Sequence, residues 1–201
     1  GWPAVLSLGI RTDAREWVNP VLAGACVWLL YLLVKKLQGE ITSILGILLL
    51  VSSPFFLINA ASLLSHVWSL FLTLAFILTW FDLTSNVPKM SRFILGPLAG
   101  ALLGLLILTR PLTALAVSFP FILQSIWIFS KRTGLRPGLL AVAIVAALFA
   151  GMFLFWQFAV TGSPSTNPYT LWWPYDKLGF GPGVGVTADG HKATIMYKGW
   201  S

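Results

Sequence analysis

The sequence predicts an all-α fold: a polytopic membrane helical bundle of about six transmembrane helices. Three observations predict it. Of 201 residues, 57% are hydrophobic and only 9% are charged, where a soluble domain carries about 25% charged residues. Mean hydropathy is +0.85. The apolar residues gather in runs long enough for a hydrocarbon core of about 30 Å, and the breaks between runs carry Lys and Arg.

Residues 1–16 mix Trp2, Val5, Leu6, Leu8 and Ile10 with Arg11, Asp13, Arg15 and Glu16. Their apolar part is too short to span, so they read as an extracytoplasmic interfacial segment. Asn19-Pro20 reads as a helix start, with Asn as N-cap and Pro at the first helical position. The first span then runs about Pro20–Val34, takes in Trp17 and Val18, and stops at Lys35-Lys36. The second is about Ile41–Ile58, with Ser53-Pro54 near its end. An uncharged link, 59–62, leads to the third at Leu63–Phe81. After a polar loop, 82–92, come Phe93–Thr109, Leu112–Phe129 and Gly138–Val160. The transmembrane region is thus 17–161, and 162–201 is an extracytoplasmic loop rich in Gly, Pro and aromatics. The chain opens on Gly1-Trp2-Pro3 and closes on a polar, Gly-rich stretch, which reads as a portion of a longer protein.

The net charge is +7, but the cations are scattered between apolar runs. They read as topology signals, not as a nucleic-acid patch. Lys35, Lys36, Lys89, Arg92, Lys131, Arg132 and Arg136 fall in alternate loops, whereas the opposite short links hold only Arg110. The positive-inside rule puts the first set in the cytoplasm. Arg110, the N-terminal segment and 162–201 are then extracytoplasmic. Cys26, the single cysteine, excludes an internal disulfide. No cofactor and no metal site is expected, and HExxH, a nucleophile elbow and a P-loop are all missing.

Arg110 is the only charge between Arg92 and Lys131. A charged side chain within a membrane segment is costly and marks a functional site by default. Pro111 can start a helix, so Arg110 would add its charge to the positive end of a helix dipole and form an anion site. A snorkelling arginine is the equal alternative. Ser62, His66, Ser69 and Thr73 form a polar stripe at helical spacing, with His66 near the extracytoplasmic end. It is either a hydrogen-bonded helix contact or a ligand to a substrate phosphate or hydroxyl. Asn59, His66, Arg110 and Gln157 lie at similar depth and are expected to converge. Gly96, Gly100 and Gly104 present small residues on one helix face for close packing. In 162–201, the Tyr and Trp residues suit a membrane interface or sugar stacking, and Asp176, Asp189 and His191 are the acid–base candidates.

Several stretches in this order resemble the multi-spanning GT-C glycosyltransferases, in particular the bacterial enzymes similar to protein-mannosyl and lipid A aminoarabinose transferases. They are Gly1-Trp2-Pro3; Ser53-Pro54-Phe55-Phe56 followed by Ser62 to His66; Leu108-Thr109-Arg110-Pro111-Leu112-Thr113; and Thr161-Gly162-Ser163-Pro164 leading to Tyr175-Asp176-Lys177-Leu178-Gly179-Phe180-Gly181. The resemblance implies a bacterial plasma-membrane enzyme that moves a sugar from a polyprenyl-phosphate donor to an extracytoplasmic acceptor. Arg110 would hold the donor phosphate as leaving group. Asn59, His66, Gln157, Asp176 and His191 complete the expected substrate-binding set. The partners are then the polyprenyl-phosphate-linked sugar and membrane lipid. The resemblance also implies a catalytic carboxylate in a first extracytoplasmic loop, most of which is absent here. A transporter or flippase of an anionic lipid or solute would use the same arginine without covalent chemistry. Internal repeats would favour that reading, and the sequence has none.

Overall fold

A computed structural model describes residues 1–85, 88–168 and 171. The chain divides into two compact units, Gly1–Ala150 and Gly151–Ser201. Among the described residues the elements are α1 (Trp2–Arg11), α2 (Val18–Gln38), α3 (Glu40–Val51), α4 (Pro54–Ala60), α5 (His66–Thr84), α6 (Lys89–Thr109), α7 (Pro111–Lys131) and α8 (Arg136–Thr161), with 3-10 turns at Arg15–Trp17 and Thr133–Leu135. No strand occurs among these residues. The fold is an all-α membrane bundle, as the apolar runs predict. Exposed Leu49, Leu115, Ile126 and Ile144 on α3, α7 and α8 are the faces such a bundle turns to hydrocarbon.

Five helices are long and apolar enough to cross a membrane: those within Arg15–Gln38, His66–Thr84, Met90–Thr109, Pro111–Lys131 and Thr133–Thr161. The second expected span, about Ile41–Ile58, is not one continuous helix. It breaks after Val51, and α3 and α4 meet at a bend of 67°. Pro54 is the cause: it has no N–H to continue α3 and a φ suited to a first helical position. Ser53 caps the new helix by accepting the Phe56 N–H at 3.4 Å. The broken pair still carries the chain across. Asn19 near the start of α2 bonds to Leu64 just before α5, and Lys36 near the end of α2 bonds to Asp82 near the end of α5. These helices therefore run parallel, and α3 with α4 returns the chain between their opposite ends. Asn19 and Lys36 lie about 25 Å apart along α2 at the helical rise, close to the hydrocarbon thickness.

Two more boundaries differ from the sequence reading. Asn19 is not an N-cap. The 3-10 turn Arg15–Trp17 leads directly into α2 at Val18, so Asn19 is inside the helix and its amide is free for tertiary bonds. The third span begins at His66, not Leu63, which leaves Ser62 and Ser65 before the helix. The expected polar stripe shrinks to His66, Ser69 and Thr73. The Ser69 and Thr73 hydroxyls donate to the carbonyls of Ser65 and Ser69 at 2.9 and 2.8 Å, so both are satisfied within their own turns.

α5 is the central helix. Of its apolar window, 44% is buried, against 17–28% for the other four spans. One of its faces enters a cluster with α6, α7 and α8, built on Leu72, Phe76, Trp80, Leu103, Leu106 and Val142. The other enters a cluster with α2 and α4, built on Ala23, Cys26, Leu33, Phe56, Val67 and Leu74. The glycine face of α6 packs on α8 as expected. A Cβ on Gly100 would lie 2.8 Å from both the Val142 carbonyl and Val145 Cβ, and one on Gly96 would lie 2.7 Å from the Gly138 carbonyl. Close backbone approach of this kind supplies the dispersion contact that hydrophobicity cannot supply between helices in lipid.

All three basic loops lie at one end of the bundle. Lys36 pairs with Asp82, the Arg92 guanidinium donates to the Gly134 carbonyl at 3.0 Å, and that of Arg132 donates to the Thr84 carbonyl at 3.4 Å. This clustering places at one end the cations on which the expected orientation rests.

Within the second unit, the last turns of α8 end on Gly162, whose φ of +75° suits the left-handed position that closes a helix. Its N–H donates to the Phe158 carbonyl at 2.8 Å.

Candidate functional site

At the end opposite the basic loops, one residue separates two helices. Arg110 closes α6 and opens α7, with extended backbone (φ −147°, ψ 82°). Pro111 causes the break: its ring disfavours helical backbone in the residue before it. The Arg110 N–H donates to the Leu106 carbonyl at 2.7 Å, and its carbonyl accepts from the Ala114 N–H at 2.9 Å. The backbone at the break is thus satisfied on both sides. α7 has no side-chain cap, and Pro111 has no N–H, so the N–H groups of Leu112 and Thr113 stand at its positive end.

The guanidinium meets His66, the first residue of α5. Arg110 Nη1 lies 2.8 Å from His66 Nδ1. A guanidinium only donates, so Nδ1 presents its lone pair and the ring proton is on Nε2. The pair therefore has one formal positive charge, with donors left over on both side chains. Among the described residues the ion pairs are Lys35–Glu40 and Lys36–Asp82, and no carboxylate pairs with Arg110. The Phe55 ring of α4 stands edge-on to His66 with centroids 6.4 Å apart.

The 61–65 link that presents His66 is irregular backbone leading into a span. Such backbone needs its polar groups satisfied, and here side chains from distant elements do it. Asn19 Nδ2 donates to the carbonyls of Ser62 and Leu64. Trp2 Nε1, from α1, donates to the Leu63 carbonyl at 2.9 Å. Cys26 Sγ contacts the Val67 carbonyl at 3.6 Å. α1 also approaches the arginine: a Cβ on Gly1 would lie 2.7 Å from the Leu108 carbonyl and 3.5 Å from Thr109 Oγ1. The interfacial segment of the sequence reading is thus a helix packed beside the site.

Of the residues expected to converge, the structure brings Arg110 and His66 together. Asn59 is buried, but its amide donates to the Phe55 carbonyl of its own helix at 2.8 Å, which occupies that donor within α4. Gln157 lies in the second unit, where its carbonyl accepts from Thr161 Oγ1 at 2.8 Å. Asp176 and His191 lie outside the described residues, as does most of the aromatic stretch after Pro168. Sequence reasoning missed Asn19 and Trp2 as supports. A polar amide within an apolar span needs a partner, and a buried indole N–H needs an acceptor; both signals were present, but neither identifies the partner.

No family model matches the chain, and no curated protein or solved structure matches it either. The fold and the site stand on their own geometry: this is a multi-pass membrane protein with an arginine–histidine pair at one end of its bundle.

Proposed function

We propose that the chain is part of an integral-membrane glycosyltransferase of the GT-C kind, in a bacterial plasma membrane. It moves a sugar from a polyprenyl-phosphate donor to an extracytoplasmic acceptor. The observation that carries this reading is the charge balance at Arg110, a cation at a helix start with a histidine but no described carboxylate as partner. That combination suits an anionic ligand. A phosphate fits best, because the planar guanidinium donates to two phosphate oxygens at once, and the α7 dipole adds to the same field. When the sugar departs, negative charge grows on the phosphate. Donors already held in place stabilise that charge most effectively in a water-poor site. His66 contributes by fixing the guanidinium and by its Nε2–H.

The test is transfer from a labelled polyprenyl-phosphate sugar by the full-length protein in liposomes. Arg110→Ala should lower turnover by about 10²–10³-fold while membrane insertion is retained. Unchanged turnover removes the assignment. A second reading, a transporter or flippase of an anionic lipid or solute, is favoured by one observation: the span broken between α3 and α4, since discontinuous helices are common at transporter sites. Movement of the labelled lipid without product would select it.

A further inference from the structure

A second feature lies away from Arg110. α5, α6, α7 and the first half of α8 enclose a cavity of about 590 Å³. Its walls include Phe76, Trp80, Phe121, Ile126, Phe129 and Ala146. Ile126 is 65% exposed, so the cavity is a groove that opens sideways between α7 and α8.

The groove is almost wholly apolar and offers an occupant no free donor. Ser118 and Ser125 line it, but their hydroxyls donate to the Leu115 and Phe121 carbonyls of α7 at 3.1 and 2.7 Å. The Trp80 indole donates to Gln124 Oε1 at 2.7 Å. What fills the groove must be hydrocarbon, because a polar guest would lose its own hydrogen bonds. Along α7 the lining runs from Ser118 to Phe129, about 16 Å at the helical rise. The length matches one leaflet, about 15 Å.

The basic end of the groove is charged. The Arg136 guanidinium stands 5.0 Å from the centroid of the Phe129 ring, and its Nε donates to the Phe129 carbonyl at 2.9 Å. Lys131 and Arg132 follow directly and are exposed, and Arg92 joins them through the Gly134 carbonyl. Among the described residues none of these four pairs with a carboxylate; the two ion pairs use Lys35 and Lys36. An apolar groove ending at unpaired cations between two spans is complementary to one class of molecule. We infer that this groove holds an acyl chain of an anionic phospholipid from the leaflet at the basic end, with the lipid phosphate on Arg136 and Lys131.

The test measures lipid binding to the full-length protein in mild detergent by native mass spectrometry, with phosphatidylglycerol and phosphatidylcholine as probes. Phosphatidylglycerol should bind more tightly. The double variant Lys131→Gln/Arg136→Gln should weaken its binding about thirtyfold and weaken that of phosphatidylcholine, whose net charge is zero, far less, while Ala146→Phe, which fills the groove, should weaken both. Equal binding of the two lipids by the unmodified protein overturns the inference. So does unchanged phosphatidylglycerol binding in the double variant. Should Ala146→Phe fail to fold, a photocrosslinker on Ile126→Cys decides the same point. Crosslinking to phosphatidylglycerol supports the inference, and crosslinking to a second polypeptide overturns it.

Discussion

The two ends of the bundle handle positive charge in opposite ways. At the basic end the cations are many, and they sit at helix ends beside the short links. Arg92 and Arg132 donate to carbonyls of neighbouring loops, and Lys35 and Lys36 reach Glu40 and Asp82. At the other end, one arginine is held at a one-residue break between spans, bonded to a histidine 44 positions away. Its support comes from α1, α2 and the link before α5. The number of charges therefore does not locate the site. A cation at an exposed helix end is hydrated and replaceable, whereas Arg110 depends on backbone that other elements keep in place.

That contrast predicts its largest effect at a residue that touches neither Arg110 nor a substrate. Asn19 is 1% exposed and holds two carbonyls of the 62–64 link. Asn19→Leu should lower stability by about 2 kcal/mol, the sum expected for two such bonds, read as an earlier thermal midpoint in detergent. It should also loosen the link. Cys26 is fully buried, so a thiol placed at Leu64→Cys gives a site-specific signal. Its labelling should accelerate in the Asn19→Leu background. Unchanged labelling would mean that the link holds itself, and the two ends would no longer differ in how they are built.

The same residue shows where sequence reasoning stops. Apolar runs locate the five long spans and the broken α3–α4 pair, because hydrocarbon thickness imposes a length on a span. Ser53-Pro54 was visible as a feature near the end of the second run, but a proline can sit at a kink or a helix start, and only packing around Phe56 decides between these. Asn19-Pro20 has the pattern of a cap, yet the helix begins two residues earlier than that pattern implies, since the turn at Arg15–Trp17 feeds it. Arg110 and His66 were both legible as polar residues at one depth. Their contact was not, because depth fixes the height of a residue and leaves its azimuth around the helix open. Asn59 illustrates the limit: its depth fits, and its amide donates within its own helix, to the Phe55 carbonyl.

A smaller effect is expected at His66. The bond from Arg110 to Nδ1 orients the guanidinium without adding charge. If the transferase reading holds, His66→Ala should lower transfer about tenfold, the weight of one hydrogen bond to a charged group. His66→Gln, which keeps an acceptor, should recover part of the loss. Full activity in His66→Ala would reduce the pair to a packing contact and leave the helix start alone to position the arginine.

The smallest effect belongs to the basic end. Lys36→Ala removes the pair with Asp82, but both side chains are more than a third exposed. Solvent and salt screen such a pair, so stability should change by less than about 1 kcal/mol. Topology should also survive, because Lys35, Arg92, Lys131, Arg132 and Arg136 still bias the same end. Thiol-accessibility mapping from each side of the membrane would check it. A large loss of stability in Lys36→Ala would break the contrast from the other direction, since it would show that the parallel run of α2 and α5 depends on this surface pair instead of on the packing of Cys26, Val67 and Leu74 between them.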